Sequence, residues 1–260
     1  MAIITLTTDF GTADGYVGAM KGVILRLAGS HPAPLIVDLA HDVAPGDIAH
    51  AAWVVATSTP EFPHGSIHVV VVDPGVGGAR REVIVRARNR WYVGPDNGVF
   101  GYVAERTSEA YAIESDRFRA ERVSRTFHGR DVFARTAAAI ASGEDPAAAG
   151  PRIELAGQLP WGARDPATGR VVHIDRFGNL ITDLPEAEAG PAVTIADQVL
   201  PLAGTYEDVA PGALVAYIGS AGTVEIAVRD GRADRRLGVA RGAAVVVAPG
   251  DGSGRRGPYR

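Results

Sequence analysis

The carboxylates at the ends of predicted strands are the groups of this 260-residue chain best placed to do chemistry. The run His68-Val-Val-Val-Val-Asp73-Pro-Gly-Val-Gly-Gly-Ala-Arg80-Arg81 carries the clearest one. It begins as a continuous β-branched segment, the pattern of a strand buried on both faces, and stops at Asp73. Pro74 cannot donate to a sheet ladder, and Gly75, Gly77 and Gly78 open backbone angles closed to other residues. A tight turn therefore follows, and Arg80 or Arg81 can fold back on Asp73. Open parallel sheets bind ligands just past the carboxyl ends of their strands, which is where Asp73 falls. A surface salt bridge is the simpler alternative. The glycines favour a site, because such a loop costs entropy unless its backbone packs closely or approaches a ligand.

Two further groups extend the candidate chemistry. Asp9, in Thr8-Asp9-Phe10-Gly11, is a second carboxylate at a strand end, suited either to ligand contact or to shaping a turn. His128, in Thr126-Phe127-His128-Gly129-Arg130-Asp131, precedes a predicted helix. The helix dipole there would depress its pKa and favour a neutral imidazole able to take a proton from water. His41 and Asp42 are adjacent, but neighbouring side chains point apart, so they are read as structural. Asp96 and Asn97, in Gly94-Pro-Asp96-Asn97-Gly98, are read as turn formers.

In the second half, His173-Ile-Asp175-Arg-Phe177-Gly-Asn179 puts a carboxylate, an aromatic ring and an amide at alternate positions. If extended, these share one face and suit a planar polar ligand such as a purine; a hairpin turn at Phe177-Gly178-Asn179 is the alternative. The small residues of Tyr217-Ile-Gly219-Ser220-Ala-Gly222-Thr-Val-Glu225 either bring backbone close to a ligand or turn the chain.

The elements that must position these groups alternate up to about residue 142. Strands are predicted at Ile3–Thr7, Pro34–Leu39 (buried), Ile67–Val72 and Tyr111–Ile113, and a hairpin at Glu82–Arg88 and Trp91–Val93. Helices are predicted over Tyr16–Leu27, capped by Asp14, then over Ile48–Ser58, Val99–Ala104 and Val132–Ala141. The alternation predicts an α/β domain with a largely parallel sheet over residues 1–143. Residues 144–170, rich in Pro, Gly and Ala, read as a linker. Six short strands between Val171 and Val247 predict a small all-β barrel or sandwich domain over 171–249, with a disordered tail over 250–260.

The composition excludes several classes. Hydrophobic residues make up 46% and charged residues 22%, which predicts a globular chain, and the net charge of −4 offers no basic field to nucleic acid or anionic lipid. There is no cysteine, hence no disulfide or thiolate metal site. The N-terminus lacks the basic and long apolar regions of a secretory leader, and no apolar run approaches the roughly 20 residues of a membrane span. A cytoplasmic protein is expected. Walker, dinucleotide, zinc-type and serine-elbow motifs do not occur.

Taken together, Thr8-Asp9-Phe10-Gly11, Asp73-Pro-Gly-Val-Gly with Arg80, Thr126–Asp131, Asp175-Arg-Phe177-Gly-Asn179 and Gly219-Ser220 through Glu225 resemble the S-adenosyl-L-methionine hydroxide adenosyltransferase family, relatives of the fluorinase and chlorinase. The stretches occur in family order along nearly the whole chain. The resemblance implies an α/β domain followed by a β-barrel, assembled as a homotrimer with sites between subunits. It implies hydrolysis of S-adenosyl-L-methionine to adenosine and L-methionine by attack of water at the ribose C5′ carbon, with no metal or other cofactor. Asp73, Arg80 and His128 match the Asp-Arg-His set that marks the hydrolytic branch, and Arg81 is the neighbour set aside. Asp9 would hold the ribose hydroxyls, Phe177 and Asn179 the adenine, Asp175 and Ser220 the methionine end, and Glu225 the purine. Ala221 departs from the fluorinase, which has an arginine at the methionine carboxylate there. The alternatives are a halide-using adenosyl transferase and an adenosine-binding module without turnover.

Overall fold

Segments rich in apolar and β-branched residues form the inner strands, and segments apolar on one stripe form the helices that cover them. The computed structural model describes residues 1–29, 32–162, 164–165 and 168–248, and falls into two units, Met1–Pro160 and Trp161–Arg260.

The first unit runs β1 (Ile3–Thr8), α1 (Tyr16–Leu27), β2 (Leu35–Ala40), α2 (Ile48–Ser58), β3 (Ile67–Val71), β4 (Glu82–Ala87), β5 (Arg90–Pro95), β6 (Glu109–Ala112), α3 (Ala134–Ala141) and β7 (Arg152–Ile153). Its single sheet has the order β2-β1-β3-β5-β4-β6-β7. The first four strands in that order are mutually parallel, and β4, β6 and β7 extend the sheet antiparallel. Alternation along β1 and β3 sends side chains to opposite faces. Ile4, Leu6, Val69 and Val71 pack with Met20 and Ile24 of α1 and Ala134 and Ala137 of α3. Val70 and Val72 pack with Ala51 and Val55 of α2 on the other face.

That arrangement follows from handedness. The chain moves from β1 to β2 in one direction, then from β2 back past β1 to β3. Right-handed crossovers in opposite directions place α1 and α2 on opposite faces. The carboxyl ends of β1 and β3 thus flank the point where strand order reverses, the preferred ligand crevice of open α/β sheets.

Several local expectations are revised. β2 is an edge strand rather than a buried one, with Leu35 47% exposed. Asp14 does not cap α1: Gly15 is the N-cap and no side chain bonds there. Asp47 does cap α2, accepting from the His50 amide. Residues 99–104 form turns, not a helix. The β4–β5 hairpin turns on Arg88-Asn89, both at positive φ, one residue earlier than expected. A π-helical turn, Gly129–Phe133, precedes α3. The stretch expected to be a linker includes β7, which joins the first unit's sheet.

The second unit is a closed barrel of β8 (Thr168–Ile174), β9 (Leu180–Pro185), β10 (Ala192–Ile195), β11 (Gln198–Ala203), β12 (Leu214–Ile218), β13 (Thr223–Val228) and β14 (Ala244–Val247), in the order β10-β11-β12-β13-β9-β8-β14. A short helix, α4 (Ala233–Leu237), ends at Gly238 in the left-handed conformation. The core is built from alternate strand residues, among them Val171, Leu180, Leu184, Val193, Ile226 and Val245. The tail from Gly250 lies outside the described residues.

Candidate active site

Asp73 follows the end of β3, and the glycine loop returns the chain to it. The Val76 amide donates to the Asp73 carbonyl (3.2 Å) and the Gly78 amide to the Gly75 carbonyl (3.0 Å), two successive tight turns. Gly77 has φ +73°, and a Cβ there would lie 2.2 Å from the Arg125 carbonyl oxygen. Close backbone packing therefore explains this glycine. The loop delivers Arg80, whose Nε donates to Asp73 Oδ1 (3.1 Å) and Oδ2 (2.9 Å) and whose Nη2 donates to Oδ2 (2.5 Å). The two side chains are only 4% and 9% exposed. Arg81 points elsewhere, its Nη2 2.6 Å from Asp96, which also accepts from the Ala156 and Gly157 amides. Asp96 thus ties distant loops together rather than shaping its own turn; Asn97 is the turn former, its Oδ1 accepting from the Val99 amide (3.2 Å) and its Nδ2 donating to the Val72 carbonyl (2.9 Å).

His128 reaches the same place from the π-helical turn. A Cβ on Gly129 would lie 3.2 Å from Met20 Sδ and 3.3 Å from a Val71 methyl, so glycine lets this turn press against the end of β3. The buried Asp131 carboxylate accepts from the Ser124 amide and pairs with Arg130, fixing the segment. His128 Nδ1 lies 2.8 Å from Arg80 Nη2 and 2.8 Å from Glu82 Oε1, and Arg80 Nη1 lies 2.8 Å from the same Glu82 oxygen. The cluster is thus Asp73, Arg80, Glu82 and His128; Glu82 is the member that sequence reasoning missed.

The electrostatics follow from burial and these contacts. Burial opposes the Arg80 charge, but Asp73, and after it Glu82, more than offset this and raise its pKa. The His128 pKa is lowered, first by burial and then by the Arg80 charge, against the pull of Glu82 and Asp73. The lowered pKa favours the neutral imidazole, with burial and the Arg80 charge as its leading causes.

A cavity of about 50 Å³ at these strand ends is lined by Asp9, Phe10, Asp73, Phe127 and His128, among others. Asp9 thus shares the cavity with Asp73 and His128, and its Oδ2 accepts from the Gly46 amide at 2.8 Å. Phe10, Tyr16 and Phe127 form an aromatic group beside it, with ring centroids 5.3–5.9 Å apart. His41 is buried against Thr8 and Asp38 while Asp42 is exposed, so the two do diverge. Among the described residues, no group of three or more His, Asp or Glu side chains is arranged to hold a metal ion.

The barrel holds a second cluster. Asp175 starts the β8–β9 turn: its Oδ1 accepts from the Phe177 amide (2.9 Å) and the Asn179 amide (2.8 Å). The segment is therefore a turn, not an extended face. Phe177 is 73% exposed at the turn, whereas Asn179 is buried. Asn179 Nδ2 donates to Asp175 Oδ2 (2.9 Å) and to the Tyr206 hydroxyl (3.1 Å). Tyr206 and Tyr217 share a hydroxyl–hydroxyl bond, and Tyr217 donates to Glu225 Oε2 at 2.8 Å. Tyr217 and Glu225 are direct partners across the β12–β13 ladder. A Cβ on Gly219 would lie 2.0 Å from Glu225 Oε1, so glycine is needed for the carboxylate to lie there. Burial raises the pKa of Glu225, Tyr217's hydrogen bond lowers it, and Asp175's charge raises it again. Ser220 is exposed in the following turn. Asp175, Asn179 and Glu225 are thus joined through two tyrosines that sequence reasoning did not select.

An α/β unit with a buried carboxylate–arginine–imidazole cluster at its switch point is followed in the chain by a closed barrel with its own polar cluster. Comparison with known proteins places it further. Residues 4–150 match the model of the SAM hydroxide adenosyltransferase N-terminal domain, and residues 169–246 match that of the C-terminal domain. The chain belongs to the SAM hydroxide adenosyltransferase family. It is 40% identical to a Thermus thermophilus protein named (R)-S-adenosyl-L-methionine hydrolase, over 93% of this chain and 98% of that one. It is 39% identical to a protein of the same name from Salinispora arenicola, over 95% and 98%. A fluorinase from Nocardia brasiliensis is 27% identical over 86% and 89%. Among solved structures, an uncharacterized conserved protein from Thermotoga maritima superposes with a TM-score of 0.81 at 31% identity, covering 93% of this chain and 98% of that one.

Proposed function

We propose that this protein hydrolyses S-adenosyl-L-methionine to adenosine and L-methionine. The observation that carries the reading is the meeting of Asp73, Arg80 and His128 at the switch point, in a chain about 40% identical over nearly its whole length to proteins named for that hydrolysis. Water attacks the ribose C5′ carbon in line with the C5′–sulfur bond. The sulfonium leaves as the neutral thioether of methionine, so no general acid is needed, and one water proton passes to the protein. Free water has a pKa near 15.7, so the proton leaves as the C–O bond forms rather than beforehand. His128 and Asp73 orient the water and take its proton; Arg80 holds Asp73 in place. No metal or other cofactor enters this scheme.

Asp9, in the same cavity, binds the ribose hydroxyls. Phe177 and Asn179 take the adenine, Glu225 contacts the purine, and Asp175 and Ser220 serve the methionine end. Since both Asp175 oxygens already accept bonds within the turn, Asp175 acts chiefly by holding Asn179 in place. The working assembly is a cytoplasmic homotrimer with sites between subunits. None of the helices among the described residues is long and apolar enough to cross a membrane.

The test is product identification with each sulfonium epimer in chloride buffer. Adenosine and methionine, formed from the (R) epimer in particular, support the reading. A 5′-chloro nucleoside would assign the protein to halide transfer, and adenosine retained without turnover would make it a binding module.

A further inference from the structure

Asp73 and Arg80 are each flanked in the chain by a residue that is held from outside, and both holds come from one turn. Arg81, directly after Arg80, donates from Nε (3.1 Å) and Nη2 (2.6 Å) to Asp96 Oδ2, and the Asp96 amide donates to the Arg81 carbonyl (2.9 Å). Val72, directly before Asp73, accepts at its carbonyl from Asn97 Nδ2 (2.9 Å). Adjacent residues at the end of β5 thus grip the neighbour of each member of the Asp73–Arg80 pair.

The grip on Val72 stands in for a sheet bond. Pairing of β3 with β5 stops at Val69 opposite Val93, and pairing with β1 stops at Val71 opposite Thr8. Val72 is fully buried beyond both ladders, so its carbonyl takes a side-chain donor. The direction of the Asn97 amide follows from its partners. A carbonyl only accepts and the Val99 amide only donates, so Nδ2 faces Val72 and Oδ1 faces Val99. Asp96 is anchored as firmly, its side chain 2% exposed and accepting from the Ala156 (3.1 Å) and Gly157 (2.9 Å) amides. Arg81 Nη2 also donates to the Glu154 carbonyl (2.6 Å). A Cβ on Gly98 would lie 2.4 Å from the Gln158 carbonyl oxygen, so the turn lies hard against the same segment.

We propose that Asp96 and Asn97 are positioning residues that set Asp73 against Arg80, Asn97 acting through Val72 and Asp96 through Arg81. A buried ion pair repays its desolvation only in good geometry, and small misplacements of a catalytic group are costly in rate. The catalytic consequence rests on the hydrolytic reading; the effect on the ion pair does not.

The first test needs no substrate. Solvent exchange of the Arg80 Nε–H is followed by ¹⁵N spectroscopy of the full-length protein, the resonance being assigned by its loss in Arg80→Lys. The Arg90 Nε–H, which donates to the Phe62 carbonyl (3.0 Å) at the other end of β5, is the internal control. Asn97→Asp keeps the acceptor for Val99 but replaces the donor to Val72 with a second acceptor. Exchange at Arg80 should quicken at least about tenfold while Arg90 stays within about threefold. Arg81→Ala, which removes a side chain 39% exposed, should act in the same direction and carries the test should Asn97→Asp fail to fold. Unchanged exchange at Arg80 would overturn the proposal. Equal acceleration at both arginines would overturn it too, because that is the mark of a looser fold. With S-adenosyl-L-methionine, kcat of Asn97→Asp should fall about 10- to 100-fold with KM within about threefold; a raised KM at unchanged kcat would contradict a positioning role. A wild-type protein without turnover would count against the hydrolytic reading alone, and the exchange comparison would still decide this inference.

Discussion

Arg80 holds Asp73 through three N–H···O contacts of 2.5–3.1 Å, with both side chains almost fully buried. Removing one partner of such a pair strands the other charge, at a cost of about 3–5 kcal/mol. Arg80→Ala should therefore lower unfolding stability in urea by that order as well as abolishing turnover. Arg80→Lys keeps the charge but not the planar fork. It should recover most of the stability while kcat stays at least about tenfold down, a difference of some 1.4 kcal/mol in activation free energy. Equal recovery of stability and rate would show that charge alone, not the fork, matters.

Turnover should persist below the usual histidine range. The His128 pKa is lowered, by burial first and the Arg80 charge second, so the neutral base survives as the pH falls past 6.5. The acid limb of kcat should lie below pH 6.5 and should be absent from the residual activity of His128→Asn. A limb at or above 6.5 would contradict this assignment.

Stability has its own pH dependence, set by His68. Its ring is buried, with Nδ1 2.8 Å from the Thr5 hydroxyl, and its pKa falls to about 3, chiefly through burial and then through the charge of Arg90. The unfolded chain binds a proton near pH 6.5, and the folded protein does so only near pH 3. Within that window the unfolded state carries more protons, so stability is lost as pH decreases. The slope attributable to His68 is at most about 1.4 kcal/mol per pH unit. His68→Gln should be less stable at neutral pH and lose less on acidification. Parallel curves for the two proteins would rule out His68 as the source.

In the barrel, Tyr217→Phe removes the donor to Glu225 and breaks the chain from Tyr206. Leaving a partly buried carboxylate short of a partner costs about 1–3 kcal/mol. Adenosine binding by calorimetry should weaken several-fold, with kcat less affected than KM. Unaltered adenosine affinity would detach this tyrosine chain from nucleoside recognition.

Much of this architecture could be read from the residues. The continuous β-branched runs gave β1 and β3, and Asp47 with its apolar stripe gave α2 at Ile48–Ser58. The strand-end logic led to Asp73. Other features depend on contacts that a linear reading cannot supply. β11 was not among the predicted strands; it carries Pro201, a residue rare inside sheets, which nonetheless pairs with Ala192 in the barrel. Glu82 looked like an ordinary strand start; only the return of the glycine loop and the π-helical turn at Gly129 bring Arg80 and His128 to it. Tyr206 lies 27 residues from Asn179, and only barrel closure brings them within 3.1 Å. Phe177 and Asn179 alternate in sequence, but Asp175 folds them into a turn that exposes one and buries the other.

Hydrolysis in ¹⁸O-labelled water tests the central claim most directly. Single turnover of S-adenosyl-L-methionine should yield methionine and adenosine with one heavy oxygen at C5′, a product that Asp73→Ala should not form. Adenosine without the label at C5′, or no methionine released, would contradict direct attack of water at that carbon.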